Sequence, residues 1–184
     1  MILESIVTTV DAQGIVNIAP MGPQVDDESF SAITLKPFRS SRTYANLMHG
    51  GTAVVHVTDD VELIARAAIG PVCGDGLTLP LLGRWHRLVD CCRWFAVEIV
   101  SWQDDPLRPL ANCQIVHRGD QRPMFGFNRG KHAVIEAAIL ATRLEMLGRD
   151  EVRRQMNDLA VWVQKTGGVS EHRAWALLES FVDG

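Results

Sequence analysis

The sequence predicts a mainly β domain followed by a small helical unit. Through the first two-thirds of the chain, short β-branched segments alternate with turns rich in Gly, Pro and Asp, a pattern typical of antiparallel strands. After Gly119, apolar residues recur at helical spacing instead. We therefore expect a β domain at residues 1–118 and a helical subdomain at residues 119–184, and the 184 residues are enough to bury a sizeable core.

The strand predictions begin with a hairpin, because "ESIVTTV" and "IVNIAPMG" flank the turn-forming "DAQG". "FSAITLK" and the strongly β-branched "TAVVHVT" are two further strand candidates. Two long strands, "CCRWFAVEIVSWQ" and "LANCQIVHRG", are joined by the turn "DDPLRP". The segment at 70–83 is rich in Gly and Pro and is predicted to be a loop.

Two short helices are predicted within the β domain. "SSRTYANLMHGG" has Ser40 or Ser41 as its N-cap and Gly50 just past its end. In "DDVELIARAAIG", Asp59 and Glu62 have the spacing of a capping box.

The helical subdomain is predicted to contain three helices. The first ends at Gly148, and the third has Ser170 as its N-cap.

Composition narrows the classes of function. The net charge of −4 does not favour binding to nucleic acid or to an anionic membrane. The four cysteines lack zinc-site or disulfide-framework spacing, so they are interpreted as reduced, mostly buried thiols of a cytoplasmic protein. The start of the chain lacks the features of a signal peptide, and no apolar run reaches bilayer length.

The segment "LKPFRSSRTYANL" gathers two arginines and three hydroxyl residues at the predicted start of a helix. Free backbone N–H groups and the positive end of the helix dipole favour anions at such a position. Two interpretations remain open from the residues alone. The segment is either a phosphate site or an ordinary serine-capped helix with solvated arginines.

Two further segments are candidates for ligand contacts. "VNIAPMG" could present its backbone to a planar ligand, since Pro fixes the chain path and Gly permits close approach, or the strand could simply end there. "NRGKH" at residues 128–132 could supply a second anion contact or be a solvated first turn.

No pattern identifies a catalytic residue or a metal site. The six histidines have no metal-ligand spacing, and the chain contains no GxSxG, P-loop or HExxH sequence. The sequence therefore does not indicate a hydrolytic or metal-dependent mechanism.

Four long segments together resemble the DUF447 family. They are "ESIVTTVDAQGIVNIAPMG", "LKPFRSSRTYANL", "HVTDDVELIARAAI" and "NRGKHAVIEAAILATRLEML", and the resemblance covers almost the whole chain. This family belongs to the FMN-binding split-barrel group, which is related to flavin reductase-like and pyridoxamine-phosphate-oxidase-like proteins.

The resemblance implies a split β-barrel with FMN bound near the interface of a homodimer. It places the phosphate at the turn before the first predicted helix and the isoalloxazine ring along "NIAPMG". Asp59 would face the same cleft, and Lys131 would lie near the dimer contact. The implied FMN-binding residues are Asn17, Ala19, Pro20, Met21, Gly22, Arg39, Ser40, Ser41, Arg42, Thr43, Asn46, Asp59 and Lys131.

The leading functional hypothesis is an FMN-dependent oxidoreductase that acts on a small molecule. Its lack of a catalytic triad is expected, since a bound flavin carries the electrons itself. A flavin-binding carrier, sensor or assembly module without turnover is the alternative. A nucleic-acid-binding barrel is a remote third option, because the net charge opposes it and the arginine-rich turn lacks base-stacking aromatics.

Overall fold

The computed structural model describes residues 1–184, which fold into two compact units. Unit 1 contains Met1–Thr58 and Val72–Pro123, and unit 2 contains Asp59–Pro71 and Met124–Gly184. The first part of unit 2 is thus a short helical segment that interrupts unit 1 in the sequence. Residues 59–71 fall inside the range predicted as the β domain, and the structure groups them with the C-terminal helices.

The chain forms nine strands and six helices. The strands are β1 (Ser5–Val10), β2 (Val16–Met21), β3 (Gln24–Val25), β4 (Ile33–Leu35), β5 (Thr52–Val57), β6 (Thr78–Leu81), β7 (Trp85–Leu88), β8 (Arg93–Gln103) and β9 (Leu110–Asp120). The helices are α1 (Arg42–Gly50), α2 (Val61–Ile69), α3 (Arg129–Ala141), α4 (Leu144–Leu147), α5 (Arg149–Thr166) and α6 (Val169–Asp183).

Seven strands make one antiparallel sheet in the order β2-β1-β5-β8-β9-β4-β3. β2 and β3 lie at opposite edges, yet only two residues separate them in the chain. In a flat sheet the two edges would be about 29 Å apart, since neighbouring strands are spaced by about 4.8 Å. The sheet must therefore curl until its edges meet.

Backbone hydrogen bonds help to hold the sheet in its curled form. The N–H of Leu3 donates to the carbonyl of Pro23 at 3.1 Å, and the N–H of Val25 donates to the carbonyl of Met1 at 2.9 Å. The residues that precede β1 are thus tied to β3. The result is a curled half-barrel.

The interior of the half-barrel is filled by inward-facing side chains from most of its strands. Val7, Leu35 and Val55 are fully buried there, and Leu47 of α1 packs into the same cluster. Because Leu47 belongs to this core, α1 is held in a fixed position against the sheet. This places the polar residues of its first turn beside β1 and β2.

The segment predicted as a loop at 70–83 instead contains β6, which pairs with β7 as a two-stranded hairpin. That prediction was wrong because Gly and Pro suppressed the strand signal, although Pro80 lies in β6 opposite His86. Trp85 from this hairpin is buried against Val54 and Ala96 of the main sheet. Burial of Trp85, and not strand propensity, holds the hairpin in place.

Unit 2 is built around one apolar core to which α2, α3, α5 and α6 all contribute. Val61 and Ala65 of α2 belong to it, together with Val134, Val152 and Leu178. An isolated nine-residue helix is marginal in water. α2 is therefore stabilised chiefly by this packing.

Helix boundaries differ from the predictions at several caps. The N-cap of α2 is Asp60, whose carboxylate accepts from the N–H of Leu63 at 3.0 Å, and not Asp59. The predicted helix up to Gly148 is broken after Ala141, and α4 is a separate single turn. α6 begins after Gly168, so Ser170 lies inside it and donates to Glu62.

Candidate functional site

The first turn of α1 is the most polar part of the predicted site. Ser41 is its N-cap, which confirms the predicted capping role: its hydroxyl accepts from the N–H of Tyr44 at 3.1 Å and donates to the carbonyl of Phe38 at 2.7 Å. The N–H of Ala45 bonds to the carbonyl of Ser41. The N–H groups of Arg42 and Thr43 are therefore the ones left without partners in the first turn.

Arg42 and Ser40 flank this cap and are both exposed. The guanidinium of Arg42 makes no hydrogen bond or ion pair with the rest of the chain. Arg42 is the first residue of α1, so its positive charge and the two free backbone donors belong to the same end of the helix, where the dipole is positive. These groups together can bind an oxyanion.

Arg39 has a different role from Arg42, although both were predicted to lie around a phosphate. Its guanidinium forms an ion pair with Asp104, donates to the carbonyl of Asp105 at 2.9 Å and donates to the hydroxyl of Tyr44 at 3.1 Å. These contacts tie the segment before α1 to the turn between β8 and β9. The guanidinium of Arg39 is therefore already engaged by other residues of the chain.

A cluster of four polar side chains lies beneath the first turn of α1. The amide of Asn17 donates to the hydroxyl of Thr43 at 3.1 Å, and the amide of Asn46 donates to that of Thr9 at 3.0 Å. Thr9, Thr43 and Asn46 are buried, and Asn17 is half-buried. The cluster fixes α1 against β1 and β2.

Thr9 was not predicted as a site residue. Its position in "ESIVTTV" carried only a strand signal, and the fact that its hydroxyl meets Asn46 depends on how α1 packs on β1. No sequence pattern connects those two positions. The other three members of the cluster, Asn17, Thr43 and Asn46, were all predicted.

β2 contains most of the residues that were predicted to line a planar ligand. Asn17, Ala19 and Met21 alternate with Ile18 and Pro20, so the first three share one face of the strand. All of them except Ile18 are half-buried. β2 is an edge strand of the sheet, where a proline is tolerated because no ladder bond is lost.

Gly22 follows β2 and has a packing role of its own. A Cβ atom added there would lie 2.8 Å from Cγ2 of Ile2, closer than unstrained contacts allow. Any side chain at residue 22 would therefore push Ile2 aside. The close contact with Ile2 is therefore a reason for glycine at this position that does not depend on the predicted contact with a ligand.

Asp59 and Lys131, the remaining predicted residues, both lie in unit 2. The ammonium group of Lys131 donates to the carbonyl of Asp59 and to Glu171, each at 2.8 Å. The carboxylate of Asp59 accepts from the N–H of Phe125 at 2.7 Å. Both side chains thus take part in a network inside the helical unit.

Glu171 is the acidic partner of that network and is almost fully buried. Burial raises its pKa, but the hydrogen bonds from Lys131 and from the N–H of Gly168 outweigh burial, so the pKa lies below its ordinary value of 4.5. The carboxylate therefore stays ionised at neutral pH. The ion pair with Lys131 balances its charge inside the unit.

Two of the four cysteines are poor nucleophiles, and no candidate metal centre is present. All four cysteines are free, and burial raises the pKa of Cys91 and of Cys113 to about 12, so these two thiols are unreactive. Cys73 is exposed. No group of three or more His, Cys, Asp and Glu side chains is arranged to hold a metal ion.

The residues at α1 and β2 fit a ligand with one anionic and one apolar end. Arg42 and the free N–H groups suit the anion, while the half-buried face of β2 offers an apolar wall with a strand edge. The four-residue cluster beneath them contains only amides and hydroxyls. Such a site can bind and orient a ligand but has no acid or base of its own.

None of the six helices is both long and apolar enough to cross a bilayer.

The fold resembles those of several solved proteins. An FMN-bound protein from Methanosarcina mazei, described as DUF447, is 22% identical with a TM-score of 0.86, and the match covers 98% of this chain and 94% of that one. A flavin reductase domain protein from an Arthrobacter species is 16% identical with a TM-score of 0.59, over 67% of this chain and 80% of that one. An FMN-binding protein from Thermus thermophilus, solved with p-hydroxybenzaldehyde, is 10% identical with a TM-score of 0.54, over 66% and 73% of the two chains.

These similarities confirm the predicted fold, a split barrel followed by a helical unit. Two family models match the sequence itself. "Protein of unknown function (DUF447) N-terminal domain" matches residues 3–122, and "Protein of unknown function (DUF447)" matches residues 128–180. Because the two matches cover nearly the whole chain, the protein belongs to the DUF447 family.

Proposed function

We propose that this protein binds FMN, with the phosphate at the start of α1 and the isoalloxazine ring along β2, and that it uses the flavin to oxidise or reduce a small molecule. The observation that carries the proposal is the unpaired, exposed Arg42 beside the free N–H groups of the first turn. The FMN-bound DUF447 protein from Methanosarcina mazei, which shares the fold over 98% of this chain, supports it.

The geometry suits the two ends of the cofactor. A phosphate dianion gains from the helix dipole, from two backbone donors and from a guanidinium, whose contacts with phosphate are strong and directional. The ring needs an apolar wall and backbone contacts, which the half-buried residues of β2 offer. Asn17 joins the two regions, because it lies in β2 and bonds to Thr43 of α1.

The two arginines give a direct test of the phosphate site. The Arg42→Gln variant is expected to bind FMN about tenfold more weakly or worse, because a charge-assisted contact is lost. Arg39→Gln removes the same charge three residues away but breaks contacts inside the fold, so it should affect stability more than FMN affinity. Affinity is measured by quenching of flavin fluorescence on titration of the apoprotein.

A larger loss of FMN affinity in Arg39→Gln than in Arg42→Gln would contradict this assignment. Ser41 is a less useful target, since its replacement by Ala removes the helix cap and costs about 1 kcal/mol of stability on its own. The purified protein should also be yellow, with an absorbance band at about 450 nm from the bound flavin. Absence of a flavin band after FMN is added in excess would argue against the whole proposal.

A second experiment separates turnover from binding alone. When bound, the flavin supplies the capacity to accept and return electrons, and the chain's part is to hold the ring at the edge of the sheet. We expect anaerobic NADH or NADPH to bleach the bound flavin within the time of a catalytic cycle. A flavin that binds tightly but is bleached no faster than free FMN would support the non-catalytic alternative.

The proposal includes a homodimer, as the family resemblance implies. Native mass spectrometry counts subunits and flavins in the same measurement. Two chains with two FMN molecules are expected. A flavin-loaded monomer would contradict the homodimer and leave the FMN site standing.

A further inference from the structure

A second concave site lies in unit 1, away from the residues assigned to FMN. It is a wide-open depression with a volume of about 460 Å³, which is within the range of small-molecule sites. It combines apolar, hydroxyl and basic groups. Its lining residues are Phe30, Ser31, Ile115, Val116, His117 and Arg118.

One wall of this pocket is held in an unusual conformation. Phe30 has a φ of 55°, a region that bulky residues rarely occupy because it costs energy. The surrounding structure compensates by packing. The ring of Phe30 stacks on Phe95 with centroids 4.4 Å apart, and the guanidinium of Arg93 lies 4.9 Å from its centroid.

The free strand edge beside the pocket has a simple origin. β4 pairs with β9 only at Ala111–Cys113, although β9 continues to Asp120. From residue 114 onward the edge that faced β4 has no strand partner. Backbone groups at the level of Ile115 to Arg118 are therefore available to a ligand.

The charges at the pocket favour a single negative charge on the ligand. Arg118 and His117 are exposed, and their side chains make no hydrogen bond or ion pair within the chain. Ser31, which also lines the pocket, donates its hydroxyl to Asp26, and this bond lowers the pKa of Asp26 to about 2. The ionised Asp26 would repel a dianion such as phosphate more strongly than a monoanion.

We propose that this pocket binds a small organic monocarboxylate with an apolar body, whose carboxylate pairs with Arg118 while its body lies against Ile115. A guanidinium can bind a carboxylate through two parallel hydrogen bonds. The half-buried β9 side chain of Ile115 supplies the apolar contact.

The pocket is separate from the site proposed for FMN. α1 contacts the end of β8, where Tyr44 meets Trp102 at 5.6 Å between ring centroids, near the turn that leads into β9. Ile115 lies five residues beyond the start of β9, or about 17 Å along the strand. The two sites share no residue.

Isothermal titration calorimetry of the full chain with benzoate tests the proposal. We expect saturable binding of benzoate, no binding of inorganic phosphate at this site, and a loss of benzoate affinity of about tenfold or more in Arg118→Gln. Arg143→Gln is the matched control, since Arg143 is an exposed arginine of unit 2 whose side chain has no partner. Its benzoate affinity should equal that of the parent protein.

The titrations are run with and without FMN so that the two proposals fail separately. Benzoate affinity that is unchanged by FMN supports an independent pocket, whatever the outcome of the flavin experiments. Displacement of benzoate by FMN would overturn the proposal, as would equal losses in the two arginine variants. Absence of any heat of binding at millimolar benzoate would also overturn it.

Discussion

Lowering the pH from 6.5 to 4.5 is expected to destabilise the half-barrel by up to about 1.4 kcal/mol per pH unit through His56 alone. His56 is 0% exposed. Its Nδ1 lies 3.0 Å from the carbonyl of Ile6, and its Nε2 accepts from the N–H of Leu88 at 3.0 Å. The neutral ring thus joins β1 to β7.

The cause of this pH dependence is the cost of charging a buried ring. Burial lowers the pKa of His56 from 6.5 to about 4, the nearby Arg87 acts in the same direction, and the hydrogen bond to Ile6 opposes them. The unfolded chain therefore binds a proton between pH 6.5 and 4 that the folded chain does not. The contribution of the neutral His56 to the free energy of unfolding has its full value above pH 6.5 and decreases as the pH drops towards 4.

The measurement is urea unfolding at several pH values between 7 and 4.5, for the parent protein and His56→Gln. The amide of Gln can donate and accept but does not titrate in this range. The variant is less stable at neutral pH, and its stability should change less with pH. Equal slopes for the two proteins would contradict the assignment to His56.

The second large effect is expected in unit 2, where Lys131→Met should cost about 2–4 kcal/mol. The variant leaves the carboxylate of Glu171 almost buried without its cation, and an uncompensated buried charge is strongly destabilising. The side chain of Lys131 is 17% exposed, so some water reaches the ion pair. The lower end of the expected loss is therefore smaller than the loss measured for fully buried ion pairs. Far-UV circular dichroism during urea unfolding measures the loss.

Two further variants make this result specific. Lys165→Met replaces an exposed lysine of α5 and should change stability by less than about 0.5 kcal/mol. The double variant Lys131→Met with Glu171→Leu removes both charges and should recover part of the loss. No recovery in the double variant would mean that the pair is not the source of the destabilisation.

The same lysine variant also tests the flavin contact predicted for Lys131. If the network with Asp59 and Glu171 is its main role, FMN affinity should change little under conditions where the protein stays folded. A loss of affinity comparable to that of Arg42→Gln would show that Lys131 also reaches the cofactor.

Strands with strong local signals were predictable from the sequence, and those held by tertiary packing were not. β1, β2 and β5 are β-branched and flanked by turn residues, so their pattern and their burial agree. β6 has no such pattern, and it is a strand because Trp85 of its partner is buried beneath Val54 and Ala96. That contact joins residues far apart in the chain, which local propensity does not record.

At the candidate site, too, contacts between residues close in the sequence were predictable, and contacts between distant residues were not. The cap at Ser41 depends on residues three apart and was predictable. The different roles of Arg39 and Arg42 depend on Asp104, which is 65 residues away. The sequence shows that both arginines lie just before or at the start of α1. Only the packing of the β8–β9 turn determines that Arg39, and not Arg42, pairs with other residues of the chain.

The division of unit 2 into two stretches of the chain affects the order in which the protein can fold during synthesis. The ribosome makes α2 long before α3 and α6, the helices that bury Val61 and Ala65. Until the second stretch of unit 1, Val72–Pro123, and then the C-terminal helices emerge, α2 has nothing to pack against and is too short to persist alone. A nascent chain stopped at Pro123 would therefore carry a complete set of barrel strands with an exposed apolar segment between β5 and β6, a target for chaperones and proteases.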